Sequence, residues 1–180
     1  MRWTPPSIAP ATSCASLVSR LGHLLAIREE ITRTSQRTVT LAEGLRPWSQ
    51  LLELPGFGVM VTSSYLAAIG DGLQFKRGRQ VSAWLGLVPG QHGSGGKVRL
   101  HGMTESGDRY IRTMMLHGAR AAIGWGCDRD TPLARWINPM IQRRGYNKAT
   151  VALANKNACI AWSIVANDAH YDPGQAFGSA

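Results

Sequence analysis

The sequence predicts a mainly α-helical protein that carries one short β-hairpin. Apolar residues recur at three- and four-residue steps along most of the chain, which is the period of an amphipathic helix. Glycine and proline divide this pattern into segments of ordinary helix length. Residues 89–102 interrupt it with a glycine-rich stretch, which favours a flexible hairpin over another helix.

Length and composition bound the class of protein. The 180 residues suffice for one domain, or for one compact domain with an extended arm. No apolar run approaches the ~20 residues of a membrane-spanning helix, and the amino-terminal residues are not typical of a secretory signal. Cys14, Cys127 and Cys159 lie far apart and match neither a disulfide framework nor a zinc site. We therefore expect a cytoplasmic protein.

The basic charge is concentrated in one part of the chain. The formal net charge is +9, and residues 76–120 carry eight Lys or Arg against two Asp or Glu. A basic block of this kind favours a polyanionic partner, and the block surrounds the glycine-rich segment. The sequence therefore predicts contact with DNA phosphates, with a merely solvated basic face as the alternative.

The first third of the chain predicts a leader and a long helix. Residues 1–15 contain three prolines and no periodicity, so we expect them to be disordered. Residues 16–46 predict a long amphipathic helix that ends before Pro47. Its apolar positions are Leu17, Leu21, Leu24, Ile31, Leu41 and Leu45.

This helix fits either of two roles, because polar residues interrupt its apolar seam. Arg28, Ser35 and Thr38 occupy seam positions, which leaves a packing helix and a coiled-coil arm both open. The sequence favours the arm slightly, and such an arm predicts a homo-oligomer.

Residues 51–70 have the pattern of a helix-hairpin-helix element. A short helix ends at Pro55, a turn follows, and a second helix spans Val59–Ile69. In such an element the turn glycines, here Gly56 and Gly58, and the N–H groups of the second helix can bind a phosphate without reading base sequence. A plain helical corner with a buried Phe57 is the alternative.

A cluster of three basic residues follows this element. Lys76, Arg77 and Arg79 precede or enter a helix predicted from Gln80 to Leu85. Cations near a helix N-terminus are unfavourable, so an anionic ligand could offset them. The cluster therefore predicts DNA contacts, although a solvated turn would explain it nearly as well.

The glycine-rich hairpin carries the candidate nucleophile. Ser94 lies among glycines that let the backbone approach a ligand closely, and Lys97 and Arg99 follow with charge suited to phosphate. A hydroxyl in these surroundings is a candidate nucleophile. The alternative is a surface hairpin whose serine is only solvated.

The remaining residues predict three more helices. The helix from Asp108 to Ile123 begins with Asp108 as its N-cap, and Arg109 and Arg112 are three residues apart, on one side of it. We expect these two arginines to face the same anion as Lys97. Two further helices are predicted, separated by Gly145, and then a loose tail. The two helices span residues 131–143 and 148–166, and the tail covers residues 173–180.

The other residues that often mark sites are assigned to the core or the surface. Trp84, Trp136 and Trp162 lie on predicted apolar faces and are expected in the core. The histidines at positions 92, 101 and 117 match no common zinc spacing. We expect this chain to hold no metal ion and no other cofactor.

Several segments in the same order resemble a known family. They read Leu-Pro-Gly-Phe-Gly, Ala-Ala-Ile-Gly-Asp, a long block from Phe75 to His92, Ser-Gly-Gly-Lys, Gly-Asp-Arg-Tyr-Ile-Arg-Thr and Val-Ala-Leu-Ala-Asn-Lys. Together they resemble the carboxy-terminal domain of bacterial IS110/IS116/IS902 transposases. The resemblance covers roughly residues 40–172 and implies that residues 47–172 form this domain, with DNA as its partner.

The resemblance implies serine-dependent DNA strand exchange. In that family the serine of a Ser-Gly element attacks a backbone phosphate and holds the DNA end, and the element corresponds here to Ser94 and Gly95. Many relatives carry two serines there, but the first position is Gly93 in this chain. Lys97, Arg99, Arg109 and Arg112 would neutralise the phosphate by the charge argument above.

The resemblance also implies partners beyond this domain. Full-length members resemble two-part enzymes with an amino-terminal RuvC-like half that binds divalent metal, and a guide RNA pairs with the target DNA. The amino-terminal acidic residues here are predicted on helices or loops, not on the β-strands of such a half. We therefore expect a truncated transposase domain, with a non-catalytic DNA-binding module or an inactive relic as alternatives.

Overall fold

The structure of the protein is a computed structural model that describes residues 10–94, 97–104 and 106–178. Residues 10–13, 92, 94 and 97–101 are described by their backbone alone. The elements in chain order are α1 Pro10–Ala42, α2 Arg46–Leu52, α3 Val59–Ile69, α4 Gly78–Trp84, β1 Pro89–Ser94, β2 Lys97–Met103, α5 Arg109–Gly126, α6 Pro132–Arg144, α7 Tyr146–Asn167 and α8 Pro173–Phe177. This confirms the predicted mainly α-helical fold with one short hairpin.

The chain divides into two compact units, one ending at Leu41 and one beginning at Ala42. The first unit is almost entirely α1, which begins at Pro10 and not at Ser16. The expected disorder was therefore wrong for residues 10–15, while residues 1–9 lie outside the described part. Proline can occupy the first turn of a helix because the N–H it lacks has no partner there. None of the described helices is long and apolar enough to cross a membrane.

Helix α1 leaves large apolar side chains in solvent. Its exposed residues include Leu17, Val18, Leu21, Leu24, Leu25, Ile27 and Ile31. Some of its threonine hydroxyl groups are hydrogen-bonded within the helix: Thr32 donates to the Arg28 carbonyl and Thr38 to the Thr34 carbonyl.

The second unit packs around α7. This helix contacts α2, α4, α5 and α6. Its buried residues include Ala149, Ala154, Ala158 and Ala161, all with no exposed surface. Small side chains let neighbouring helices approach a central helix closely, so an alanine-rich sequence suits this position.

Local capping signals define several helix starts. The Asp108 carboxylate accepts from the N–H groups of Tyr110 and Ile111, at 2.7 and 3.3 Å. The Thr131 hydroxyl accepts from the Ala134 N–H at 3.1 Å and caps α6. The N-cap prediction for Asp108 is therefore confirmed.

The carboxy-terminal segment is ordered where a loose tail was predicted. Residues 173–177 form α8, the Asp172 carboxylate caps it by accepting from the Gly174 N–H at 2.8 Å, and Phe177 is buried. The Phe177 and Trp136 rings lie 5.6 Å apart. The prediction was wrong for these residues because an N-cap followed by proline is itself a helix-start signal, and Phe177 adds tertiary packing.

One of the predicted core tryptophans is at the surface. Trp84 is 40% exposed, whereas Trp136 and Trp162 are half-buried. Val81 and Ser82 of α4 and Leu85, directly after it, are buried against the domain, and this leaves Trp84 facing outward. The core assignment of Trp84 was therefore wrong.

Candidate nucleic-acid interface

The hairpin that carries Ser94 is an antiparallel pair of strands. Its register pairs Ser94 with Lys97 and His92 with Arg99. Residues paired directly across such a ladder have neighbouring Cα atoms. Both predicted cations of the hairpin are thus backbone neighbours of the strand that ends at Ser94. Gly95 and Gly96, between the strands, lie outside the described residues.

The base of the hairpin is attached to the end of α4. The Thr104 N–H donates to the Val88 carbonyl at 2.9 Å and closes the base. Gly107 has a φ of 107° and lies so close to the Trp84 carbonyl that a Cβ would overlap that oxygen. Both the dihedral angle and the contact require glycine at this position. The chain leaving β2 is therefore held against the carboxy-terminal end of α4.

The two arginines at the start of α5 have different surroundings. Arg109 is exposed, but Arg112 is only 7% exposed. The Arg112 guanidinium donates through Nη1 to the Leu85 and Gly107 carbonyls, both at 3.4 Å. Both arginines were expected to face the same anion as Lys97, but the Arg112 guanidinium is occupied by these two backbone carbonyls. Arg109 is available at the surface, and Arg112 joins α5 to the end of α4.

The three basic residues before and within α4 are all exposed. Arg77 is the N-cap residue of α4, and the Lys76 N–H donates to the Gln80 side chain at 2.7 Å. Among the described residues, no carboxylate lies within 4.0 Å of the charged groups of Lys76, Arg77 or Arg79. Their charges are therefore directed at solvent, not neutralised within the fold.

The turn beneath this cluster is closely packed. Gly78 faces α7, and a Cβ at this position would lie 2.8 Å from the Cys159 Cα. A larger residue would have to push the two backbones apart. The tight contact holds the start of α4, and with it the basic cluster, against the domain.

The turn between α2 and α3 combines a buried and an exposed part. Phe57 is buried, with its ring edge toward Tyr65 at 5.6 Å between centroids. Gly56 has a φ of 86° and approaches the Gly118 backbone so closely that a Cβ would overlap the Gly118 carbonyl. Gly58 is exposed and precedes α3 without a side-chain cap. Gly56 therefore serves turn geometry and packing, and Gly58 leaves the start of α3 open to solvent.

Helix α7 holds three loops of the domain by side-chain hydrogen bonds. Asn157 donates to the Pro55 carbonyl at 2.7 Å, Asn155 to the Leu87 carbonyl at 3.2 Å and Trp162 to the Gly72 carbonyl at 3.0 Å. These loops precede α3, the basic cluster and the hairpin. Asn155 and Asn157 were not predicted as positioning residues, and Trp162 was predicted only as a core residue. The sequence signal for Asn155 and Asn157 is that they are amides among mostly small and apolar side chains of one helix. Buried amide groups need hydrogen-bond partners.

Among the residues whose side chains are described, several groups within the helical packing have a shifted pKa. Burial lowers the pKa of Lys156, whose Nζ lies 4.8 Å from the Trp136 ring centroid. Burial raises the pKa of Tyr65, whose hydroxyl donates to the Ala158 carbonyl at 2.9 Å. Burial, together with Asp172 and Glu53, raises the pKa of Tyr171 to about 12. These shifts accompany packing of the domain.

One cavity of the described residues lies away from the hairpin. A cavity of about 530 Å³ lies beside Trp125 and is lined mainly by apolar side chains, with Glu53 and Arg129 among its polar residues. Within the described ranges, no three His, Cys, Asp or Glu side chains are close enough to hold a metal ion.

Comparison with known proteins identifies the class. The chain is 37% identical over 171 residues to a Pseudomonas aeruginosa protein described as "Probable family 20 transposase", covering 95% of this chain and 51% of that protein. It is 38% identical over 149 residues to the transposase for insertion sequence element IS1111A of Coxiella burnetii, covering 83% and 41%. A Yersinia enterocolitica transposase, for element IS1328, is 34% identical over 143 residues, covering 79% and 42%. The chain is thus a protein of the transposase class.

The family follows from the segment that contains the basic cluster and the hairpin. Residues 49–132 match the family model described as "Transposase IS116/IS110/IS902 family". The chain belongs to this family, as its sequence motifs had indicated. It spans about half the length of the first of these curated relatives and less of the others.

Proposed function

We propose that this chain binds DNA and carries Ser94 as the nucleophile for strand exchange in transposition. The observation that supports the nucleophile most directly is the hairpin register, which pairs Ser94 with Lys97 and His92 with Arg99. A phosphate at Ser94 would have two cationic residues on the adjacent strand. Developing negative charge on that phosphate would be stabilised by them.

The proposed reaction proceeds in two transfers. The Ser94 oxygen attacks the phosphorus, loses its proton and forms a serine–phosphate ester, while the bond from phosphorus to one deoxyribose oxygen breaks and that oxygen gains a proton. A hydroxyl of another DNA end then attacks the ester and regenerates serine. A serine hydroxyl needs a base or strong electrostatic assistance to react at neutral pH. Lys97 and Arg99 would supply the electrostatic part.

Four exposed cations are proposed to hold the DNA backbone. Lys76, Arg77 and Arg79 lie at the start of α4, and Arg109 lies at the start of α5, beside the end of α4. Helix α4 has seven residues, so its basic cluster and Arg109 are separated by about 10 Å. This distance is within the footprint of a few phosphates. Arg112 contributes by holding Gly107 against α4.

The α2–α3 turn is proposed as a second backbone contact of the helix-hairpin-helix type. The exposed Gly58 and the uncapped start of α3 would present N–H groups to a phosphate. The sequence has no Lys or Arg between Arg46 and Lys76. This contact would therefore depend on backbone groups, with the charge supplied by the basic cluster.

Self-association through α1 is the proposed basis of oligomerisation. The exposed seam of Leu17, Leu21, Leu24 and Ile31 follows the spacing of a coiled coil. The family resemblance also implies a guide RNA and a divalent metal ion. Their binding is proposed to depend mainly on a RuvC-like half of the kind found in full-length members of the family. A DNA-bound role would place the protein in the bacterial cytoplasm, at the nucleoid.

Trapping of a covalent adduct tests the nucleophile. Labelled DNA from an insertion-sequence end, carrying a nick that lets the cleaved strand diffuse away, is incubated with the chain and a relative's amino-terminal half. We expect a denaturation-resistant adduct from the wild type and from Ser106→Ala, and none from Ser94→Ala. Ser94→Ala should retain DNA affinity within about twofold. An adduct that survives in Ser94→Ala would overturn the serine assignment.

A non-catalytic DNA-binding module is the second candidate, and the exposed basic cluster favours it independently of Ser94. It predicts affinity that falls steeply with salt and no adduct with any DNA. An inactive relic predicts neither adduct nor salt-dependent binding. Adduct formation and the salt dependence of DNA affinity, measured on the same samples, therefore separate the nucleophile, the non-catalytic module and the inactive relic.

A further inference from the structure

Trp84 is exposed in a position where the fold supports one side of its ring. Of the described tryptophans, only Trp84 and Trp125 are exposed. The Phe75 ring packs against Trp84 at 5.7 Å between centroids with a tilt of 57°. Phe75 is itself half-buried and packed on the core. The Trp84 ring is thus supported from one side and open on another.

The backbone that carries Trp84 is held firmly. Gly107 packs against the Trp84 carbonyl, and the neighbouring Leu85 carbonyl accepts a hydrogen bond from Arg112 at 3.4 Å. A buried arginine and a close glycine contact together fix the end of α4 relative to α5. The exposed ring therefore stands on a rigid support, which lowers the entropy cost of binding a flat ligand.

The chain segments around Trp84 carry more cations than carboxylates. Phe75 is followed directly by Lys76 and Arg77, and Gly107 is followed by Asp108, whose carboxylate caps α5, and then by Arg109 and the exposed Tyr110. In the described residues, no carboxylate lies within 4.0 Å of these three cations. An exposed aromatic ring on segments that also carry these cations suits a ligand that has a flat apolar face and phosphate groups beside it.

Trp125 shows that an exposed tryptophan does not necessarily have mainly cationic surroundings. It is 77% exposed, but it borders a cavity that also contains Glu53, and Asp128 follows three residues later. Its surroundings are of mixed charge. Trp125 therefore provides a natural control for the properties of Trp84.

We propose that Trp84, supported by Phe75, stacks against an unpaired nucleobase of DNA bound to the basic surface. The surface would then prefer single-stranded or gapped DNA to a continuous duplex, in which the bases stack on one another. Aromatic side chains beside a positively charged groove are the usual means of binding single strands. The inference rests on the proposed DNA binding and adds the state of the DNA that is bound.

The position of Trp84 relative to the hairpin suggests how base stacking would assist the reaction at Ser94. Trp84 lies at the base of the hairpin, and β1 spans six residues, or roughly 20 Å, between that base and Ser94. An opened strand held at Trp84 could continue along the hairpin toward the serine. Stacking would thereby keep the strand separated from its complement near the reacting phosphate.

Fluorescence anisotropy with three forms of one labelled oligonucleotide tests the proposal. The forms are the single strand, the blunt duplex and a duplex with a short central gap. We expect Trp84→Ala to weaken binding of the single strand and the gapped duplex about tenfold, and of the blunt duplex by less than twofold. Trp84→Phe should restore most of the affinity, and Trp125→Ala should resemble the wild type on all three.

Salt dependence separates stacking from phosphate contact. Trp84→Ala should lower single-strand affinity equally at every salt concentration, whereas Lys76→Gln should reduce the slope of log affinity against log salt by about 0.7. Single-strand binding should also quench tryptophan fluorescence in Trp125→Phe but much less in Trp84→Phe. Equal thermal unfolding of all variants would show that the fold is intact.

The outcomes distinguish the two proposals. Loss of single-strand affinity confined to Trp84→Ala, with its slope unchanged, supports stacking. Binding that Trp84→Ala leaves unchanged, or weakens equally on duplex and single strand, overturns stacking while DNA binding stands. A wild type that binds none of the three DNAs overturns DNA binding itself, and stacking with it.

Discussion

The two longest helices, α1 and α7, use their side chains in opposite ways. Helix α1 has 33 residues and leaves leucines exposed, while α7 has 22 residues and buries alanines against four other helices. Small residues suit a helix that is packed from several sides, because neighbouring backbones can approach it. Exposed leucines on a long helix suit contact with another chain. Side-chain size therefore separates this central helix from this arm more clearly than overall hydrophobicity does.

The same substitution on both helices should give the largest contrast. Ala158→Leu on α7 adds bulk at a fully buried position, and we expect it to lower the free energy of unfolding by about 3 kcal/mol. Ala26→Leu, at an exposed position on α1, should change it by less than about 0.5 kcal/mol. Urea titration of both variants measures the difference. Equal effects would show that the structure misassigns the central helix.

The hydrogen bonds from α7 should produce the next largest effect. Asn157→Ala leaves the Pro55 carbonyl without its partner, and we expect a loss of about 2 kcal/mol in the free energy of unfolding. Asn147→Ala, at an exposed position near the start of α7, serves as control and should have little effect. Amide exchange would localise the change: protection should fall around the α2–α3 turn in Asn157→Ala alone.

High pH should lower the stability of the unit that begins at Ala42. It should not affect α1 in this way, because α1 contains no tyrosine. The raised pKa of Tyr171, about 12, means that its phenol stays neutral in the folded state when the unfolded state ionises near pH 10. This contribution to stability is complete below pH 10 and is lost as pH rises from about 10 to 12. Tyr171→Phe should lack that component of the decline. Parallel pH profiles for the wild type and the variant would contradict the shift.

The smallest effect on unfolding is expected from the exposed seam of α1. Replacing Leu21 and Leu24 with serine should leave the unfolding temperature of dilute protein nearly unchanged, since both side chains are exposed. The same pair should weaken self-association more than tenfold in sedimentation equilibrium. His23→Ser, off the seam, should not. Unaltered association in the double variant would favour the alternative that α1 is a packing helix.

Much of the local structure was predictable because its signals are local. The bounds of α3 agree with the structure, Asp108 caps α5 as predicted, and Gly145 ends α6. The hairpin was also predicted from its glycines. Caps, turn glycines and helical periodicity act over a few residues, so a single sequence is sufficient to reveal them. The prediction of a loose tail was wrong for residues 173–177, because burial of Phe177 depends on Trp136, which lies forty-one residues earlier in the chain.

The candidate site was predictable in its residue types but not in its arrangement. Arg109 and Arg112 share a helical spacing, yet one is in solvent and the other is bonded to the Leu85 and Gly107 carbonyls. Trp84 fitted an apolar face but lies outside the core. These outcomes depend on which part of each helix meets its neighbours, and periodicity alone does not specify that.

The helical class, the hairpin, the concentration of basic charge and the family were all predictable from the sequence alone. Each of these depends on residue identity and short spacing, which the chain carries without reference to its fold. Packing of the folded chain was needed to show that Arg112 is a buried connection, that Trp84 is an exposed ring and that α7 holds three loops through Asn155, Asn157 and Trp162. Burial and hydrogen-bond partners come from segments far apart in sequence, and these segments meet only when the chain folds.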